Sequence, residues 1–233
     1  MNTAGSYRVH SLKLGPMNNF LYVIEDVATQ SAALIDPAWD LDRLIGLCQD
    51  HGLTITHVLL THSHGDHINA LSQAVERLSP EVHVLRAEAE FWGQTPEGSV
   101  LHEDGDEILL GQTRIRVIHT PGHTPGSTCY DLGDDLIAGD TVFVYGCGRC
   151  DLNGGDPRAM HASLMRLQKE LKPHVRIHPG HNYGIHENST MGEQAAGNPF
   201  MHFDDVEAFV HYRMVAHDQT RNSPYGPEPR QKS

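Results

Sequence analysis

The sequence predicts an α/β fold in which two β-sheets pack face to face with helices outside. Three observations predict it. Short apolar runs, many of them alternating and each stopped by Gly, Asn, Asp or Pro, recur through both halves of the chain. Segments with helical apolar spacing fall between them. Several of the runs lie at hairpin spacing, which argues against an all-parallel sheet. At 233 residues the chain is long enough for one sizeable core. Residues 1–200 are therefore expected as one domain and 201–233 as a C-terminal helix and tail, packed on it or extending from it.

Taken in order, "YRVHSLKL", "FLYVIED" and "SAALIDP" read as three strands of a meander. "DLDRLIGLCQDHG" follows with Leu41, Leu44, Ile45 and Cys48 at helical spacing, Asp40 as N-cap and Gly52 as stop. "THVLLTH" is a short buried strand, and "INALSQAVERL" resumes as a helix. In the second half "EVHVLRA", "DEILL", "TRIRVIHT", "STCYDLG", "DLIAGD" and "VRIHPGH" read as strands and "DPRAMHASLMRLQKEL" as an amphipathic helix. "DDVEAFVHYRMVAHDQTR" predicts one more helix, and "SPYGPEPRQKS" a frayed end.

Composition narrows the function. A formal net charge of −13 with no basic stripe excludes nucleic acid as the expected partner. No stretch approaches the roughly 18 apolar residues of a membrane span, and "MNTAGSYRVHSLKLGP" has no signal-peptide run, so a cytoplasmic protein without a membrane partner is expected. Four irregularly spaced cysteines fit a reducing compartment rather than a disulfide framework. The anomaly is histidine, at 18 residues, because neutral imidazole is the commonest metal-binding side chain.

Seven residues concentrate that excess. "THSHGDH", residues 61–67, follows a strand and opens a helix, the place where α/β proteins gather ligands. His123 in "TPGHTPGS", Asp140 in "AGDTVF" and His181 in "HPGHNYG" each follow a strand-like run and a glycine. The reading is that His62, His64 and His123 bind one metal, Asp66, His67 and His181 a second, and Asp140 bridges them. Imidazole with carboxylate suits zinc or iron, and the lack of clustered thiolates argues against a closed structural zinc site. Two metals roughly 3.5–4 Å apart can share a water and hold it as hydroxide, with Asp66 orienting it, for hydrolysis of an acyl bond. Tyr183 and Asn182 follow a ligand directly; either can donate to a developing oxyanion or orient His181.

These four motifs, in this order over residues 56–185, resemble the metallo-β-lactamase superfamily. The resemblance implies an αβ/βα sandwich and the same two-metal ligand set. Cys147, Gly148 and Arg149 in "YGCGRCDLNGGDP" resemble a loop of the glyoxalase II branch, which makes Arg149 a candidate contact for an anionic part of a thiol-bearing substrate. About fifty residues follow His181 and few are basic, which points away from glutathione. The tail and the Cys-Gly-Arg loop look more like the short zinc-dependent hydrolases encoded with trans-acyltransferase polyketide synthases. That implies two Zn2+ ions, an acyl thioester substrate and acyl carrier protein as partner. The alternatives implied are a persulfide dioxygenase using a single Fe2+ and a hydroxyacylglutathione hydrolase. Cys147 and Cys150 form a C-x-x-C outside a helix start, which favours loop packing over redox chemistry.

Overall fold

The computed structural model describes residues 7–221 and 223–230. The first six residues and, at the end of the expected tail, residues 231–233 lie outside the described residues. The fold is the expected mixed α/β class, with two six-stranded sheets and a two-stranded ribbon. The chain divides into two compact units, Met1–Ile118 and His119–Ser233.

The first unit holds a sheet in the order β1 (Tyr7–Leu14), β2 (Asn19–Asp26), β3 (Ser31–Ile35), β4 (Thr54–Leu59), β5 (Glu81–Leu85) and β6 (Val100–His102). The meander β1–β2–β3 is antiparallel, and β3 to β6 run parallel. Helices α1 (Leu41–Asp50), α2 (Gly65–Ile68), α3 (Leu71–Leu78) and α4 (Arg86–Trp92) fill the connections, and a hairpin, β7 (Glu107–Leu110) and β8 (Thr113–His119), completes the unit. Leu21, Val23, Ala32, Leu34, Val58, Val82 and Val84 join Leu41, Leu44, Leu71 and Ala74 in one core cluster. Alternation along the strands thus turns one sheet face toward α1 and α3, and each fully buried Leu or Val there contributes about 1.5–3 kcal/mol. Asp40 caps α1 by accepting from the Arg43 amide, and Gly52, at φ +68°, takes the left-handed position after its end, as the sequence predicts.

The expected helix over 68–78 is broken. Asn69 and Ala70 separate the four-residue α2 from α3, so that the turn carrying the ligand motif stands apart from the helix that packs on the core. Helix α4 and strand β6 have no counterpart among the predicted elements.

The second unit contains β9 (Thr128–Asp131), β10 (Asp135–Gly139), β13 (Arg176–Pro179) and β14 (Ser189–Thr190), with the ribbon β11 (Val142–Phe143) and β12 (Gly146–Cys147). Strand β10 is antiparallel to β9 and parallel to β13. Helix α5 (Pro157–Glu170) begins with Asp156 accepting from the Arg158 and Ala159 amides and Pro157 in the first turn. Helix α6 (Met191–Gly197) carries a Thr190–Glu193 capping box. The predicted C-terminal helix is interrupted: α7 (Val206–His211) passes through a π-helical stretch at Tyr212–Ala216 into α8 (His217–Thr220). Through Arg230 the tail is tied down instead of frayed. The Tyr225 amide donates to the Tyr183 carbonyl at 2.8 Å, Ile185 donates back to the Tyr225 carbonyl at 2.9 Å, and Glu228 donates to Gly197. Among the described residues no helix is long and apolar enough to cross a membrane.

Candidate metal centre

In the first unit the motif leaves the end of β4 as a loop held from both sides by carboxylates of the flanking parallel strands. Asp36, just past β3, accepts from the Thr61 amide at 2.7 Å and the Thr61 hydroxyl at 2.5 Å. Glu88, just past β5 and 1% exposed, accepts from the Ser63 amide and hydroxyl at 2.8 and 2.6 Å. Two buried carboxylates, each hydrogen-bonded, thus fix the loop on which His62, His64, Asp66 and His67 sit.

The same contacts set the imidazole tautomers. Because the Thr61 hydroxyl proton goes to Asp36, its oxygen accepts from His62 Nδ1, 3.0 Å away. His67 Nδ1 donates to Asp36 Oδ2 at 3.0 Å. That leaves Nε2 of each ring with its lone pair, the nitrogen available to a metal. His62 lies 4.1 Å from His67 and 4.8 Å from His64 between ring centroids. Donor atoms of Asp36, His62 and His67 fall within 4.8 Å of one another. Asp36 spends its oxygens on Thr61 and His67, so its part here is to orient the His67 ring. Asp66 Oδ2 stands 3.5 Å from His67 Nε2 and accepts from Asn19 Nδ2 at 2.9 Å, while Trp39 Nε1 donates to Asn19 Oδ1 at 3.0 Å.

Asp36→Ala is expected to weaken metal binding by roughly 10–100-fold, the usual cost of removing a partner that orients a ligating histidine. A competition titration against a chromophoric chelator measures it.

In the second unit Asp140 follows β10 and His181 follows the parallel neighbour β13, so both lie beyond the same sheet edge, joined where the Gly180 amide donates to Gly139 at 2.7 Å. His123 stands in the turn between β8 and β9, with Thr124 Oγ1 2.7 Å from Ser127 Oγ as a turn contact. Asp140 Oδ2 lies 3.4 Å from His123 Nε2 and 3.3 Å from His181 Nε2. These separations exceed a normal N–H···O bond. They match the roughly 3.4 Å between two donors each about 2.1 Å from one tetrahedral ion. The 3.5 Å between Asp66 Oδ2 and His67 Nε2 has the same meaning. One carboxylate oxygen thus lies at nearly the same distance from two imidazole nitrogens. The donor chemistry and these spacings fit a transition-metal centre.

The other candidates take definite places. His123 Nδ1 donates to the Arg149 carbonyl at 2.8 Å, whereas the Arg149 guanidinium forks Asp151 at 3.0 and 2.6 Å. That pairing draws the Asp151 carboxyl down to about 2. The Tyr183 ring stacks on His181, 4.8 Å and 5° apart, and Phe143 meets the His181 ring edge-on. Cys147 and Cys150 are buried in the loop, and desolvation pushes the Cys150 thiol up to about 12, far from thiolate chemistry. His211 is exposed and Tyr212 packs on Phe200 and Phe203. Arg213, buried, donates from Nε to the Gly148 carbonyl at 3.1 Å and so steadies the Cys-Gly-Arg loop. Sequence reasoning missed Asn19, Asp36, Glu88 and Arg213. Only Asp36, in "IDP" at a strand end, had the strand–Asp pattern that also marks Asp140.

A family model described as the metallo-beta-lactamase superfamily matches residues 14–181, a span that contains all seven candidate ligands. The chain belongs to the metallo-β-lactamase superfamily. Among its relatives, a probable polyketide biosynthesis zinc-dependent hydrolase of Bacillus subtilis is 32% identical over 210 residues, covering 89% of this chain and 93% of that protein. A hydroxyacylglutathione hydrolase of Gloeobacter violaceus is 36% identical over 184 residues, covering 77% of this chain and 68% of that protein. Among solved structures, ETHE1 from Myxococcus xanthus superposes with a TM-score of 0.82 at 32% identity, over 90% of this chain and 91% of that one. TTHA1623, solved in a di-iron-bound form, gives 0.70 at 34% identity over 82% and 99%. The metallo-β-lactamase fold and the glyoxalase II-like kinship expected from the motifs are both found.

Proposed function

We propose that this superfamily enzyme is a dinuclear zinc-dependent hydrolase of acyl thioesters, acting on acyl groups held by an acyl carrier protein in polyketide biosynthesis. The observation that carries the reading is the near full-length match to the B. subtilis polyketide hydrolase. The match to the hydroxyacylglutathione hydrolase spans a smaller share of both chains.

In this reading His62, His64 and His123 would hold one ion, Asp66, His67 and His181 the other, and Asp140 would serve both. The Nδ1 contacts of His62, His67 and His123 support it, because each turns Nε2 into the ligating atom. Bound there, two divalent ions supply Lewis acidity and lower the pKa of water toward neutrality. Asn19 holds the Asp66 carboxylate in a fixed plane, from which its oxygens can orient the attacking water. Tyr183 acts as a positioning residue through its stack on His181, and its hydroxyl is the candidate donor to the thioester oxyanion. Arg149 receives an anionic part of the substrate by exchanging Asp151 for it. Its carbonyl meanwhile keeps His123 in place.

The test is free-thiol release by metal-replete protein from acyl-pantetheine, acyl-carrier-protein and lactoylglutathione thioesters, with His62→Ala as control and metal content by elemental analysis. Release from the carrier-protein thioester that depends on His62, with about two zinc per chain, is the expected result. Preference for lactoylglutathione would make it a hydroxyacylglutathione hydrolase. Inactivity on all three, with one iron per chain and persulfide-dependent oxygen uptake, would replace hydrolysis by persulfide dioxygenation.

A further inference from the structure

A second histidine cluster lies in the first sheet, away from the ligand loop. Strand alternation turns Val58, Val82 and Val84 toward the helices, so His57 on β4 and Glu81 and His83 on β5 occupy the opposite face. His102, at the end of β6, joins them. The rings stack in series: His57 on His83 at 5.1 Å and 8°, and His83 on His102 at 5.2 Å. Two of the three are buried, His83 at 2% exposure and His102 at 7%.

Their hydrogen bonds occupy Nδ1 of both His57 and His83. The Thr56 hydroxyl lies 2.7 Å from His57 Nδ1 and 3.4 Å from the Ala32 carbonyl, so Nδ1 of that ring is taken up by a hydrogen bond. His83 Nδ1 meets His102 Nε2 at 2.9 Å, and His102 Nδ1 faces the Asp106 carboxylate at 3.7 Å. With the His102 proton on the side of that carboxylate, His102 Nε2 accepts from His83 Nδ1. His83 is thereby left with Nε2 as a lone-pair donor. A carboxylate behind a histidine that orients a ligating ring is the usual outer support of a metal site.

His83 Nε2 makes no hydrogen bond, although Glu81 Oε1 is 3.2 Å away, off the line such a bond requires. A buried imidazole nitrogen without a hydrogen-bond partner is costly, and this spacing is again that of two donors on one ion. One donor atom each from His57, Glu81 and His83 falls within 4.8 Å of the others. We infer that His57, Glu81 and His83 form a further divalent transition-metal site, of the zinc-binding His2Glu type, separate from the ligands that follow β4.

Burial holds the imidazoles neutral at ordinary pH, with His83 pushed down to about 3 by desolvation, so no proton competes there for the metal. The Glu81 side chain is 55% exposed, which leaves an entry path and room for water to complete the coordination.

The experiment counts zinc equivalents bound per full-length chain against a chromophoric chelator, in wild type, Glu81→Gln and His57→Ala. Wild type is expected to bind one equivalent more than either variant, and zinc-soaked crystals to show an anomalous peak beside His83 Nε2. Equal stoichiometry in all three proteins, each retaining the wild-type circular dichroism spectrum, would overturn the inference. The comparison is a difference between variants, so it holds whatever number of ions the first centre binds. Thiol-releasing activity is expected to stay unchanged in both variants.

Discussion

Asp140→Ala is expected to release at least one of the catalytic metal ions and to lower thiol release by more than about 100-fold, the upper end of the cost for merely an outer partner of a ligand. The expectation rests on one atom. Asp140 Oδ2 is buried and lies 3.4 and 3.3 Å from the Nε2 atoms of His123 and His181. If it bridges two ions, its removal takes a donor from both. If it only pairs with two histidines, its loss changes stability while the metal content stays the same. Elemental analysis of the dialysed variant separates these outcomes. Unchanged metal content together with unchanged turnover would remove Asp140 from the ligand set. Asp140→Asn is expected to fall between, since an amide keeps the volume and one oxygen but not the charge that holds two cations together.

The candidate ligands stand out in the sequence because metal chemistry restricts residue type and the sheet restricts position. Histidine or aspartate directly after a strand and a turn has few other uses, and four such segments together leave little else to fit. The residues that hold those ligands were not legible, because their roles exist only across strands. Asp36 and Glu88 each stand 25 positions from the loop residue they bind, and become its neighbours only when β3, β4 and β5 lie side by side. His83 and His102 escaped for the same reason: burial of a strand histidine depends on the next strand. The C-terminal helix was recognised by its apolar spacing, but its π-helical stretch was not, and that stretch includes the buried Arg213 that reaches the Gly148 carbonyl. A charged side chain reads as solvent-facing unless its buried partner is known. The Pro-rich tail read as frayed because composition alone cannot show that Tyr225 pairs with the backbone beside Tyr183.

Gly148→Ala is the other substitution expected to have a large effect, and it tests a residue that coordinates nothing. A Cβ at position 148 would stand 2.0 Å from the Asp140 carbonyl oxygen and 3.0 Å from His123 Nδ1. The first contact is to backbone, so rotation of a flexible side chain cannot relieve it. Either the Cys-Gly-Arg loop or the segment bearing Asp140 must move. The loop is anchored by the His123 bond to the Arg149 carbonyl and by the Arg213 bond to the Gly148 carbonyl. Overpacking of this kind costs about 1–3 kcal/mol, and a displacement of about 1 Å at reacting groups lowers rates by about 100-fold. Gly148→Ala is therefore expected to lose more in kcat than in thermal stability and to bind metal more weakly, because His123 and Asp140 are pushed together from the same point. Arg149→Ala is the natural contrast. It removes a side chain engaged with Asp151 but keeps the carbonyl that orients His123, so metal affinity should hold while any loss falls on KM. If the two variants showed the same kinetic pattern, the close approach at Gly148 would have no special part in shaping the centre.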